Sequence, residues 1–343
     1  MKNMPGRGRT SLMVAAMTLA AVGASWAGPS GYHIAKSVTL GGEGGWDYIA
    51  RNPADGHLFI ARGNHMMVTD ASGKLLGDIT GLSGIHGAAF ADGRAYITNG
   101  TSNSVTVVDS KSLQKLSDIP VGSRPDGIIY EPVSKRIFTF NATSKDATAV
   151  DTATGKVAGT VPLGGKPEAA TADASGTVYV NMEDKSAIAS FDAKTLATKK
   201  GWALAPCESP SGMAIDSAHG LLFSGCDNGI MAVSDTASGK VIATIKTGDG
   251  VDANRFDPAT GYAFAPNGES ATMSVVHEDS PTKFSLVENV PTMAGARTME
   301  IDPATHTLYT ITADMKPGTP TADRPKPRPV PVPGSFRLLI LSR

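Results

Sequence analysis

Three short stretches set a carboxylate directly in front of an apolar run: Asp126 in RPDGIIYEP (124–132), Glu168 in KPEAATAD (166–173) and Asp252 in GVDANRFDP (250–258). Asp47 in GWDYIARNP and His86 in GIHGAAFAD hold the same place in their own stretches. Carboxylates and an imidazole drawn to one point can hold a cation or move a proton. One His among hard oxygen donors suits Zn²⁺, Mn²⁺ or Fe²⁺, whereas the acids alone suit Ca²⁺ or Mg²⁺. These residues stand about 40 positions apart, so only a repeating scaffold brings them together.

The chain carries that repeat. Seven units open with GWDYIARNP, GIHGAAFAD, RPDGIIYEP, KPEAATADA, SPSGMAIDS, GVDANRFDP and ARTMEIDPA, and each continues into a strand-like run such as RAYITNG or RIFTFNA. Most then add a run ending in Asp, a TATGK-like turn and a last β run. Four short strands per unit, separated by Gly, Asn and Asp turns, predict a propeller blade. No segment sustains an apolar period of 3.6, which excludes an α/β reading. The expectation is all-β: one seven-bladed β-propeller of four-stranded blades.

AYITNG (95–100) and VYVNME (178–183), each followed by an Asp-ended strand, resemble the YVTN-type repeat. The chain is similar over about 300 residues to exported, seven-bladed YncE-like proteins, a resemblance specific for fold and silent on function. Unit seven has only TLYTITA and SFRLLILS (335–342) after its opening. The N-terminal run YHIAKSVTL (32–40) is expected to supply its fourth strand and close the ring, removing open edges. Between those two strands lies the Pro-rich insertion 314–334, read as extended polyproline-like chain that cannot be a strand.

The first strand of each propeller blade lines the central channel, so the opening residues form a ring at its mouth. Aligned openings place Asp47, His86, Asp126, Glu168, Ser211, Asp252 and Thr298 there, with Arg297 just before the last. Four carboxylates in a narrow funnel repel one another and raise at least one pKa unless a cation sits among them. Three roles suit the ring: a solvated rim, a divalent-metal site on Asp47, His86, Asp126 and Glu168, or a pocket for a cationic or polyhydroxylated ligand. One functional reading is a binding module that takes a small molecule or protein partner at this mouth. A rival is a metal-dependent, lactonase-like hydrolase in which the metal lowers the pKa of water and His86 shuttles protons. No complete catalytic, Walker or dinucleotide motif is present, and no catalytic residue is assigned.

Other chemistry-bearing residues read as scaffold. Asp70, Asp109, Asp151, Asp192 and Asp235 close third strands, where a carboxylate accepts turn N–H groups. His33, His57, His219, His277 and His306 fall at scattered strand or turn positions. His65 lies in a mouth-side loop of unit one, where it could join the ring; Trp46 could cover the pocket wall, and Trp202 packs between sheets.

Residues 1–27 have a basic n-region (Lys2, Arg7, Arg9), an apolar run (11–24) and small residues before Gly28, the layout of a cleaved secretory signal. Its removal takes three of 31 basic residues and none of the 32 acidic ones, leaving 316 residues at net −4. That balance argues against generic nucleic-acid binding, and no later run is long and apolar enough to span a bilayer. The expectation is a periplasmic or secreted monomer. Cys207 and Cys226, on the mouth side of unit five, are predicted to form a disulfide in that oxidising compartment. The basic insertion, with Lys316, Arg324, Lys326 and Arg328 against Asp323, is expected to fold over the acidic ring as a lid or docking arm.

Overall fold

The computed structural model describes Met1 and residues 29–319 and 329–343. The expected signal segment 1–27 therefore lies almost wholly outside the described residues, as do Asp323, Arg324, Lys326 and Arg328. Seven four-stranded antiparallel sheets make a β-propeller of seven blades. In blade three, Pro125–Glu131, Arg136–Asn141, Asp146–Asp151 and Lys156–Pro162 run in order from the axis outwards. Inner strands of successive blades touch all the way round, including Ile49–Arg51 of blade one against Met299–Asp302 of blade seven.

Burial explains why the sequence reads as it does. Second and third strands lie between two neighbouring blades and are apolar on both faces, as in Arg136–Asn141, buried at every position but the first. The inner strand Ile85–Ala91 alternates buried with half-exposed residues because one face looks into the channel. Outer strands such as Lys115–Pro120 are mostly exposed, and their lysines discourage pairing with another sheet edge.

The closure expected from the sequence is present. His33–Thr39 pairs antiparallel with Arg337–Ser342 as the outer strand of blade seven, so the two ends of the propeller are hydrogen-bonded to each other. Four third strands end on their turn-holding Asp and in blade one Asp70 follows directly: Asp109 Oδ1, for example, accepts from Ser112 N at 2.7 Å and Ser112 Oγ at 2.8 Å. These bonds hold the Asp109 carboxyl below the usual carboxylate range. Blade six departs from the pattern. Tyr262 faces His277 where blade five sets Leu221 against Asp235, and without the closing Asp its hairpin runs on through Ser280.

The insertion corrects one expectation. Its ends do pair, Met315 with Pro331 and Lys316 with Val330, in a short two-stranded ribbon. A proline accepts that position because the ribbon is only two strands wide, so each strand has a free edge and the missing N–H breaks no ladder beyond. The ribbon base is tied to blade one's loop by Gly334 N donating to Gly42 O at 2.9 Å.

Candidate ligand site at the channel mouth

A backbone irregularity aims the ring. In blades two to five the register slips just after the inner strand begins: Pro125 pairs with Asn141, but Ile128 with Thr139. The same slip falls between Ile85 and Ala88, Pro167 and Ala170, and Pro210 and Met213. The extra residue of such a bulge re-aims a side chain, and His86, Asp126, Glu168 and Ser211 each sit inside one.

The seventh position belongs to Arg297, which corrects the sequence alignment. Asp302 closes its inner hairpin opposite Thr307 as Asp216 does opposite Leu221, and counting back equally from each reaches Arg297 and Ser211. Thr298 is fully buried, and its Oγ1 donates to Asp47 O at 2.9 Å.

The structure divides the ring into groups. His86 Nδ1 lies 2.6 Å from Asp47 Oδ2 and 3.5 Å from Asp126 Oδ1, and these three offer ligand atoms within 4.8 Å of one another. Burial pulls the His86 imidazolium down, but its bond to Asp47 and the charges of Asp126 and Asp47 prevail and hold its pKa above the usual value. Burial pushes the Asp126 carboxyl up, with His86 opposing and Asp47 adding to the rise. On the far side, Arg297 Nε meets Asp252 Oδ2 at 2.7 Å while its Nη2 donates to Trp46 O at 3.2 Å. Despite that partner, burial pushes Asp252 up to about 6.

Glu168 stands between these groups. Burial first, then the charge of Asp126, pushes its carboxyl up to about 9, and Oε2 is buried without a hydrogen bond. Ser211 is withdrawn from the ring's chemistry, since its Oγ donates to Val251 O at 2.8 Å.

Some expected members stay away. His65 contacts Asn64 Oδ1 at 3.0 Å and lies 3.9 Å from Asp78 Oδ2, on its own blade. Trp46 is buried and packs on Phe336, with ring centroids 5.6 Å apart. Trp202 packs edge-on against Tyr179 of its own blade and against blade five, where a Cβ on Gly239 would lie 3.3 Å from its ring, as a residue between sheets should. Cys207 and Cys226 are bonded, with Cα atoms 5.4 Å apart, stapling the loop before blade five to its second strand.

Two residues emerge only from the fold. The position after the ring residue is Gly87, Gly127, Ala169, Gly212, Ala253 and Thr298 in six blades, but Tyr48 in the first. A Cβ on Gly87 would lie 3.2 Å from Ile128 Cγ2 and, at an ordinary contact distance of 3.7 Å, from Tyr48 Cδ2, so the two side chains and the glycine pack closely at this level of the channel. Burial, then the charges of Glu168, Asp126, Asp252 and Asp47, raise the phenol pKa far above its usual value. Tyr48 also lines a cavity of about 520 Å³ in the channel, shared with Phe90, Tyr130, Arg255 and Glu300. The second is Arg62, whose guanidinium donates to Gly41 O, Glu43 O and Gly45 O at 3.1, 2.8 and 3.0 Å and stacks 3.7 Å over Phe336. It moulds the Gly-rich loop that delivers Trp46 and Asp47 to the mouth. The sequence hint was the loop itself: GGEGGW presents consecutive carbonyls without side chains in the way.

No protein-family model matches the chain, and no curated protein matches it. Among solved structures, a chain of Kuenenia stuttgartiensis hydrazine synthase aligns with a TM-score of 0.66 at 18% identity, covering 78% of this chain and 92% of that one. The U3-55K structure aligns at 0.73 and 12% identity, covering 90% and 99%. The RRP9 WD40-repeat structure aligns at 0.75 and 12%, covering 90% and 98%. These likenesses define the class, a seven-bladed β-propeller. The YVTN-type resemblance rests on the repeat in the sequence alone. Among the described residues no helix is long and apolar enough to cross a membrane.

Proposed function

We propose that this protein is an exported binding module whose channel mouth takes a cationic ligand, with Asp47, His86 and Asp126 as the donors for a first-row divalent ion. The observation that carries this reading is the crowding of Asp47, Asp126, Glu168 and Asp252 around one His and one Arg, with Glu168 pushed up to about 9. A cation placed among them would let every carboxyl ionise. A His with two carboxylates is a donor set that Zn²⁺, Mn²⁺ and Fe²⁺ accept. Export follows from the layout of residues 1–27 and agrees with the Cys207–Cys226 disulfide.

The hydrolase alternative uses the same donors and asks His86 to shuttle protons as well. His86 Nδ1 is already engaged with Asp47, so one ring would serve as ligand and base together. The binding reading needs no such double duty. Chelator-treated protein titrated with Mn²⁺ or Zn²⁺ in a calorimeter should bind at the mouth, and Asp126→Asn should weaken that binding at least tenfold. Equal binding by the wild type and Asp126→Asn would remove this reading.

A further inference from the structure

A second cluster lies at the other end of the inner strands. Asp216 ends the strand Pro210–Asp216 whose second residue is Ser211, so it is separated from the mouth by ~17 Å of extended chain. His219 follows in the same turn, and Glu278 comes from blade six, on the stretch of hairpin that runs past the position of the missing Asp. The three offer ligand atoms within 4.8 Å of one another.

The unusual member is Glu278. Its side chain is only 4% exposed, and both carboxyl oxygens are buried without a hydrogen bond. One His219 nitrogen faces both acids, Nδ1 lying 2.6 Å from Asp216 Oδ2 and 2.7 Å from Glu278 Oε1. One ring nitrogen carries at most one hydrogen, so it cannot donate to both acids, and the geometry favours Asp216. Among the described residues no Lys or Arg comes within ion-pair distance of Asp216 or Glu278. Burial, reinforced by Asp216, pushes the Glu278 carboxyl above the usual range. Two buried acids sharing one imidazole, with one acid unsatisfied, form an incomplete polar network, which is costly unless something completes it.

We propose that Asp216, His219 and Glu278 form a divalent-cation site between blades five and six, distinct from the mouth. The ion replaces the hydrogen on His219 Nδ1 and takes one oxygen from each carboxylate, and the proton leaves to solvent. Asp216 keeps its other oxygen for the turn, accepting from Ala218 N at 2.9 Å, so ligation does not unmake the hairpin. His219, half exposed at 47%, leaves the remaining coordination positions open to water. One His with two carboxylates again selects a first-row ion. Bound there, the ion would join the blade-five turn to the blade-six hairpin.

The test uses Co²⁺, whose visible absorption reports coordination, on chelator-treated full-length protein. The double variant Asp47→Asn/Asp126→Asn, stripped of mouth donors, should still bind one equivalent and gain thermal stability from it. Adding Glu278→Gln should abolish that equivalent. His219→Gln, at a half-exposed turn position, should weaken it at least tenfold; losing a hydrogen-bond partner of a ligand already costs about 10–100-fold. A mouth-stripped protein that folds and binds no Co²⁺, or one whose binding ignores both substitutions, overturns the site. If the mouth reading fails instead, the wild type and the mouth-stripped variant bind equally while Glu278→Gln still removes one equivalent.

Discussion

Lys166 stands 3.4 Å from Glu168, yet its ammonium is turned to Glu183, with which it makes the closer ion pair. The one cation beside the most strongly perturbed acid of the ring is thus shared away. Burial and the neighbouring Asp126 then decide the charge of Glu168, and its carboxyl is pushed up to about 9. The mouth keeps a proton that an exposed glutamate would lose.

That proton has a consequence for stability. A carboxyl whose folded pKa exceeds its unfolded value near 4.5 binds more proton when folded, so stability falls as pH rises from that value towards about 9. In chelator, the melting temperature should decline across this window. Glu168→Gln removes the titration and should flatten the slope, raising the melting temperature at pH 8 by a few degrees, since ~1 kcal/mol is worth about 2–4 °C in a chain of 150–250 residues. Identical slopes in both proteins would show that Glu168 is already ionised in the folded state.

Arg297 has the opposite role, as counter-ion to Asp252. Without it, Asp252 must either stay buried and charged or hold its proton beyond the pH of about 6 at which it now ionises. Arg297→Gln should therefore cost about 1–3 kcal/mol at pH 8 and less at pH 5, where the acid is protonated anyway. Urea unfolding at the two pH values measures the difference. A loss that is equal at both would mean that Arg297 acts through packing alone.

How much of this was legible in the sequence follows from what set each feature. Seven openings, the missing fourth strand of unit seven and the Asp-closed turns are local patterns repeated in register, and a repeat averages out its exceptions. The disulfide needed only two cysteines on the same side of one unit. Arg297 was displaced by one position because unit seven opens with ARTMEIDPA, where Thr298 resembles a polar ring residue. Only the hairpin register shows that it is buried against Asp47 O. The division of the ring into His86 with two aspartates and Arg297 with Asp252 depends on contacts between blades, which no single repeat encodes. Tyr48 and Arg62 were hidden for a related reason: each is the exception within its unit. The pairing at the base of the insertion is hidden in the sequence because proline content says nothing of the free edges that tolerate it.

Arg62 should be hard to replace. Its guanidinium satisfies three carbonyls of the loop and is buried at 2% exposure, a burden that lowers its pKa to about 10. Arg62→Ala leaves those carbonyls without a donor and uncovers Phe336, and should cost about 2–4 kcal/mol. Arg62→Lys should recover little, because a point-like ammonium cannot span three acceptors as a planar fork does. Limited proteolysis between Gly41 and Gly45 reports the loop directly: wild type resists, and both variants are cut. A loop that stays resistant in Arg62→Ala would show that Trp46 and Phe336 hold it without the guanidinium.

Tyr48 follows the mouth residue Asp47 and lines the cavity of about 520 Å³ in the channel. Six blades place Gly, Ala or Thr at this position, so nothing on the neighbouring strands can grow inward to replace its ring. Gly127 cannot take up the space either, since a Cβ there would meet Glu168 O at 2.9 Å. Tyr48 is only half-buried, so Tyr48→Ala should behave as a partly buried large-to-small change, costing about 1–3 kcal/mol. Tyr48→Phe keeps the ring and discards only the hydroxyl, and should stay within about 1 kcal/mol of the wild type or exceed it, because the phenol already sits among acids that forbid its ionisation. Urea unfolding of the two variants separates shape from polarity at this position. If Tyr48→Phe proves as damaging as Tyr48→Ala, the hydroxyl is a working partner of the carboxylates and the ring is the lesser part of its role.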